Sequence, residues 1–232
     1  MEIIPAIIGK DFSEIKNKIE SVKDHVRWVQ IDVMDGKFAA SKNWPYNGEG
    51  KVSDLDSIEC LKNDKVKIEA HLMVEDPENY IEEWVEYGAD RIIIHVEATK
   101  KMGEIMAQLE ESETELGVAL KLETPISVLK DYAGELDTIQ LMSIAEIGYY
   151  GHGFEKNVLS KIRVLRAKYP GVTIAVDGGV NLENAKSILD AGADNLVIGS
   201  AIFDAPEIST QIEKFSALGG PASGGKNIHP VK

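Results

Sequence analysis

Asp32, His71 and Asp177 stand late in three strand-like runs: Val26–Met34, Val66–Met73 and Val172–Asp177. Two carboxylates flanking one carbon are what removal and return of a proton require, with one of them protonated at any moment. An imidazole beside them can ligate a cation or hold a hydrogen bond. Each residue also has a plainer explanation. Asp35-Gly36 is a turn, and Asp177-Gly178-Gly179 can simply end a strand. Met34, Met73 and Met142 have the chemistry of core filler. What the three polar residues share is a face. In the second strand Val29, Ile31 and Val33 alternate with Gln30, Asp32 and Met34. In the third, Val66, Ile68, Ala70 and Leu72 alternate with Lys67, Glu69, His71 and Met73. In the seventh, Val172, Ile174 and Val176 alternate with Thr173, Ala175 and Asp177. A side-chain period of two puts each set on one side of its strand.

The elements that must position these faces repeat along the chain. Strand runs are expected at Ile3–Ile8, Val26–Met34, Val66–Met73, Arg91–Val96, Leu116–Leu122, Thr138–Ile144, Val172–Asp177 and Asn195–Ser200. Between them lie stretches with apolar residues at three- and four-residue steps, such as Phe12-Ile15-Ile19-Val22 and Val158-Ile162-Leu165. Asp76-Pro77-Glu78 reads as a capped helix start, and Gly192 as a helix stop. Eight strands alternating with helices predict an α/β fold, a single TIM (β/α)8 barrel over 1–217. An open doubly wound sheet would place a Gly-rich phosphate loop after the first strand, and none follows it. The barrel predicts apolar sets against the surrounding helices and polar sets pointing inward, at the catalytic mouth where burial is least costly. The Gly-rich stretch 218–232 has linker composition and predicts a disordered tail.

Two further turns bear on ligand chemistry. Asp177-Gly178-Gly179-Val180 and Ile198-Gly199-Ser200-Ala201 follow the last two strands, where glycines let backbone N–H groups approach a phosphate at the start of a helix. Charge argues in the same frame. The 232 residues carry 25 Lys and Arg against 39 Asp and Glu, a net −14. Such a surface disfavours nucleic acid and anionic membranes, whereas a backbone phosphate dock is a local matter. One cysteine, Cys60, excludes an intrachain disulfide and a Cys-cluster metal site, and suits a reducing, cytoplasmic setting. An apolar strand beginning at Ile3 leaves no room for a signal peptide, and no apolar run has the length of a membrane span.

As an ordered set, the segments Pro5-Ala-Ile-Ile8, Gln30-Ile-Asp-Val-Met-Asp-Gly-Lys-Phe38, His71-Leu-Met-Val74, His95-Val-Glu-Ala98, Thr124-Pro125, Met142-Ser-Ile144, Val176-Asp-Gly-Gly-Val180 and Gly199-Ser-Ala-Ile-Phe203 resemble the ribulose-phosphate 3-epimerase family. The resemblance runs from Pro5 to Phe203. It implies a barrel that inverts C3 of a ketose phosphate through an enediolate, with D-ribulose 5-phosphate to D-xylulose 5-phosphate as the default reaction. It implies Asp32 and Asp177 as the acid/base pair, and a divalent metal ion held by Asp32, His71 and Asp177. Substrate contacts are implied for His71, Met34, Met73, Met142, Gly148, Gly151, Gly178, Gly179, Gly199 and Ser200. The family also suggests a homo-oligomer.

Departures from the family pattern set the open questions. Gln30 stands where the family has its first metal-binding histidine; a Gln carbonyl can ligate a hard cation but is a poor substitute for imidazole on zinc-like ions. The metal is then weaker, different or absent. Ala6 replaces a serine, residue 122 lacks the family's proline, and the loop Ala145-Glu-Ile-Gly148-Tyr-Tyr-Gly151 is altered. Alternatives are therefore a divergent barrel acting on another ketose phosphate with weak or no metal, and a non-catalytic phosphosugar-binding barrel. His95 and Glu97 are either a structural pair at the mouth or a substrate contact.

Overall fold

The computed structural model describes residues 1–62, 65–148 and 153–219. Eight parallel strands form a closed barrel in sequence order: β1 (Glu2–Ile7), β2 (Trp28–Met34), β3 (Lys67–Met73), β4 (Arg91–His95), β5 (Glu115–Leu120), β6 (Thr138–Met142), β7 (Thr173–Asp177) and β8 (Asn195–Ile198). The helices are α1 (Phe12–Val22), α2 (Glu59–Lys62), α3 (Ile81–Glu86), α4 (Met102–Leu109), α5 (Val158–Lys168), α6 (Ala185–Asp190), α7 (Ser200–Phe203) and α8 (Ile208–Ser216). The expected single barrel is thus present, and each predicted strand is found within two residues at either end. The tail from 220 onward lies outside the described residues. Among the described residues no helix is long and apolar enough to cross a membrane.

Local rules account for most elements. Asp11 is extended and its side chain accepts the Glu14 N–H, starting α1, which buries Ile15, Ile19 and Val22 along one stripe. Gly192 takes φ 114° just after α6, a conformation that a Cβ would strain. The expected helix at Asp76-Pro77 needs correction. Asp76 sits at φ 50° and caps nothing with its side chain, Pro77–Asn79 form a 3₁₀ turn, and α3 begins only at Ile81. Between β5 and β6 the described chain makes two 3₁₀ turns, Ile126–Leu129 and Ala133–Glu135, where Pro125 and Gly134 interrupt any longer helix.

The strand faces divide as the alternation requires. Val29, Ile31, Val33, Ile68, Ala70, Leu72, Ile174 and Val176 join α1 and α5 in one continuous core between sheet and helices. The inward face holds a small apolar group, Ile4, Ala6, Trp28, Ala175 and Val197, together with a run of polar side chains. Those polar chains are not confined to the mouth. Glu69 is fully buried and paired with Arg91, whose guanidinium lies 4.2 Å from the centre of the Trp28 ring and also reaches Glu115. A buried carboxylate is tolerated there because a cation of fixed geometry meets it.

Candidate active site

The barrel brings the three candidate residues together. Asp32 and His71 are register partners across β2 and β3, and Asp177 ends β7 beside Met142 of β6. His71 Nδ1 lies 2.9 Å from Asp32 Oδ1 and 3.6 Å from Asp177 Oδ2. One ligating atom from each of the three lies within 4.8 Å of the others, and all three residues are buried. Gln30, one inward position below Asp32, occupies the middle. Its Nε2 donates to Asp32 Oδ1 at 2.8 Å and Asp177 Oδ2 at 3.2 Å, and stands 3.3 Å from His71 Nδ1.

Burial and neighbouring charge set the protonation states. Burial, reinforced by the charge of Asp32, pushes the Asp177 carboxyl up to about 7. For His71 burial acts to lower the pKa, but the hydrogen bond and charge of Asp32 and the charge of Asp177 hold it above the usual value. His95 stays neutral, because burial draws it down to about 4. Burial works against the charge of Glu97, yet the hydrogen bonds from His95 and Thr124 outweigh it and hold that carboxyl at about 2.

Two carboxylates and an imidazole nitrogen suit a divalent cation. Gln30 Oε1 is buried with no hydrogen-bond partner. The amide turns its nitrogen, not this oxygen, toward both carboxylates, so the oxygen would meet a cation held between them only with the amide turned over. Asp32, His71 and Asp177 therefore fit a metal ion, and Gln30 could add its oxygen as a fourth donor only by turning its amide over.

Above the polar centre, Met34, Met73 and Met142 form one apolar cluster with Ala39 and Ile147. Gly148 lies against it at φ 90°, where a Cβ would come within 2.8 Å of Met34 Sδ. A cavity of about 450 Å³ opens here, lined by Asp32, Asp177, Met73, Met142 and Gly148. Gly178, Gly179, Gly199 and Ser200 line the same cavity, and none of its described lining residues is a lysine or arginine. Ser200 opens α7, whose first N–H groups are unpaired within the helix. The Gly178-Gly179 turn differs from expectation: α6 begins only at Ala185, so backbone in a positive-φ conformation, not a helix start, faces the cavity there. His71 and Met34 do not line this cavity, and Gly151 lies outside the described residues.

Three supporting residues were not anticipated. Asn43 accepts the Met34 N–H and donates to the Asp32 carbonyl at 2.7 Å, clamping the end of β2. Ser143 donates its backbone N–H and its hydroxyl to the Asp177 carbonyl. Gln140 is fully buried and donates to Asp177 Oδ2 at 3.0 Å. A glutamine in the middle of the short apolar run Thr138–Met142 is the signal that could have found it.

The profile of the ribulose-phosphate 3 epimerase family matches residues 2–203. The chain belongs to that family. Among its relatives are the ribulose-phosphate 3-epimerases of Schizosaccharomyces pombe, 34% identical over 209 residues (88% of this chain, 87% of the relative), and of Synechocystis sp., 35% identical over 217 residues (90% of each). The fold is shared more widely. 3-Hexulose-6-phosphate synthase from Salmonella typhimurium superposes with a TM-score of 0.73 at 16% identity, covering 94% of this chain and 98% of that one. As a member of the epimerase family the chain is an isomerase.

Proposed function

We propose that the protein inverts C3 of D-ribulose 5-phosphate to give D-xylulose 5-phosphate, using Asp32 and Asp177 as the acid/base pair. The observation that carries this reading is the juxtaposition of two buried carboxylates at the floor of one cavity. Asp177, held near 7, carries the proton at the outset. Asp32 takes the C3 proton, and the C–H electron pair passes into the enediolate. Asp177 then gives its proton to the opposite face of C3, and the pair has exchanged its single proton. Met73 and Met142, packed with Met34 in one cluster, face the planar intermediate with thioethers that carry no acidic hydrogen and exclude water. Backbone N–H groups of Gly178, Gly179, Gly199 and Ser200 meet the phosphate, which needs no cationic side chain. A divalent ion held by Asp32, His71 and Asp177 would stabilise the negative charge developing on the C2 and C3 oxygens. The single buried cysteine and acidic surface support a cytoplasmic setting, and we carry a homo-oligomer as part of this reading.

One observation favours a second reading. The Gln30 amide already donates into both carboxylates, so N–H groups in the site can meet negative charge with little or no metal. Both readings are tested by following solvent deuterium into C3 of ribulose 5-phosphate, with chelator and with added Mn²⁺. Exchange with inversion that requires Mn²⁺ supports the metal-assisted epimerase. Exchange indifferent to chelator supports the second reading. No exchange under either condition overturns the epimerase and leaves a phosphosugar-binding barrel.

A further inference from the structure

We infer that His95 and Glu97 are positioning residues for His71: they fix its proton on Nε2 and aim the Nδ1 lone pair into the space between Asp32 and Asp177. The inference rests on the reading of Asp32, His71 and Asp177 as a cation site.

A hydrogen-bond chain runs inward from Glu97 to His71. Glu97 Oε1 accepts the backbone N–H of Lys121 at 2.8 Å, and Oε2 lies 3.2 Å from His95 Nδ1. An ionised carboxylate can only accept, so His95 Nδ1 must donate. A neutral imidazole has one N–H, which leaves His95 Nε2 as an acceptor. That nitrogen is 3.1 Å from His71 Nε2, with the two rings 26° from parallel at 5.1 Å. One hydrogen bond between two imidazole nitrogens holds one proton, so His71 must be the donor. Both histidines are fully buried, and no solvent competes for these positions.

The direction set at Glu97 therefore reaches the centre. With its Nε2 proton committed to His95, His71 has only Nδ1 to turn to the carboxylate oxygen 2.9 Å away, where it shares a proton with Asp32 and frees a lone pair once a cation takes that proton's place. Two lone pairs at that distance repel unless a positive centre lies between them. Gln30 spends both amide hydrogens on the carboxylates, whereas the amide nitrogen of Gln140, 3.4 Å from His71 Nδ1, keeps one that a lone pair there can accept. Such outer partners of a ligating histidine fix its tautomer and tune its basicity.

An isosteric change reverses the chain. In Glu97→Gln the amide oxygen is needed by the Lys121 N–H, so the NH₂ group faces His95 Nδ1. His95 then carries its proton on Nε2, and His71 is driven to accept at Nε2 and hold its proton on Nδ1, with no lone pair for a cation. The test is ¹⁵N NMR of histidine-labelled, metal-free protein, together with Mn²⁺ affinity from the electron paramagnetic resonance signal of free Mn²⁺. Wild type should show His95 protonated at Nδ1. Glu97→Gln should show it protonated at Nε2, and should bind Mn²⁺ about 10–100-fold more weakly at a nearly unchanged melting temperature. Wild-type His95 protonated at Nε2, or a Glu97→Gln variant with unaltered Mn²⁺ affinity, would overturn the inference. The wild-type tautomer needs no variant and no metal, so it decides the positioning chain alone. Failure of wild type to bind Mn²⁺ would instead count against the cation site itself.

Discussion

His71 Nδ1 stands 2.9 Å from Asp32 Oδ1, and the two residues face each other in register across β2 and β3. The pairing makes the carboxylate and the imidazole a single unit on adjacent strands, with Asp177 brought in from β7.

Replacing either aspartate by asparagine should lower epimerisation about 10²–10⁴-fold while leaving the barrel folded. The two variants should differ in isotope exchange. Asp177→Asn keeps Asp32, so it should still wash solvent deuterium into C3 of one epimer without inverting it. Asp32→Asn should do the same for the other epimer, as followed by proton NMR of the recovered sugar phosphate. Exchange of the same epimer by both variants would contradict an arrangement on opposite faces.

Gln30→His should raise affinity for Zn²⁺ by about tenfold or more, equivalent to at least ~1.4 kcal/mol. It also removes the amide that donates to both carboxylates. Calorimetric titration of wild type and variant with Zn²⁺ and Mn²⁺ measures the change in preference. Equal Zn²⁺ affinities would mean that residue 30 does not face the ion.

The stability of metal-free protein should carry a proton-linked contribution from Asp177. Its carboxyl is raised from the ordinary 3.8 to about 7 in the folded state. Between those values the folded chain holds a proton that the unfolded chain has released, so this contribution is present below about 4 and is lost as the pH rises through about 7. His95, drawn down to about 4, acts in the opposite sense and costs stability as the pH falls from 6.5. The difference in urea midpoint between wild type and Asp177→Asn should therefore move against wild type as the pH rises from 4 to 7. A difference that stays constant would show that Asp177 is not held protonated.

Gly178→Ala should weaken phosphate recognition and cost about 1–3 kcal/mol of stability. Gly178 lies at φ 110°, and a Cβ there would come within 2.8 Å of Ile144 Cγ1. A higher KM for ribulose 5-phosphate together with a lower melting temperature is the expected pair of effects. An unchanged KM would exclude this turn from the phosphate site.

The period-two pattern of β2, β3 and β7 was enough to put Asp32, His71 and Asp177 on inward faces near the strand ends, because alternation is a local property and the helices demand the apolar side. The same pattern could not reveal that Glu69 lies low in the barrel, since that depends on Arg91 and Trp28 arriving from other strands to satisfy it. Asp76 misled for a local reason: the residue types of a helix cap were present, but the chain there turns through a positive φ before α3 begins.

By itself, then, the sequence determined the barrel, the acid/base candidates, the methionine cluster and the glycine turns, all of which follow from periodicity, residue chemistry and ordered motifs. Only the tertiary structure decided that Gln30 and Gln140 both donate to Asp177, and that Lys121, Glu97, His95 and His71 form one directed chain. Closure of the sheet places side chains from distant segments within hydrogen-bond range. Their separation along the chain holds no information about that distance, and the direction of each hydrogen bond is set by the partner it meets.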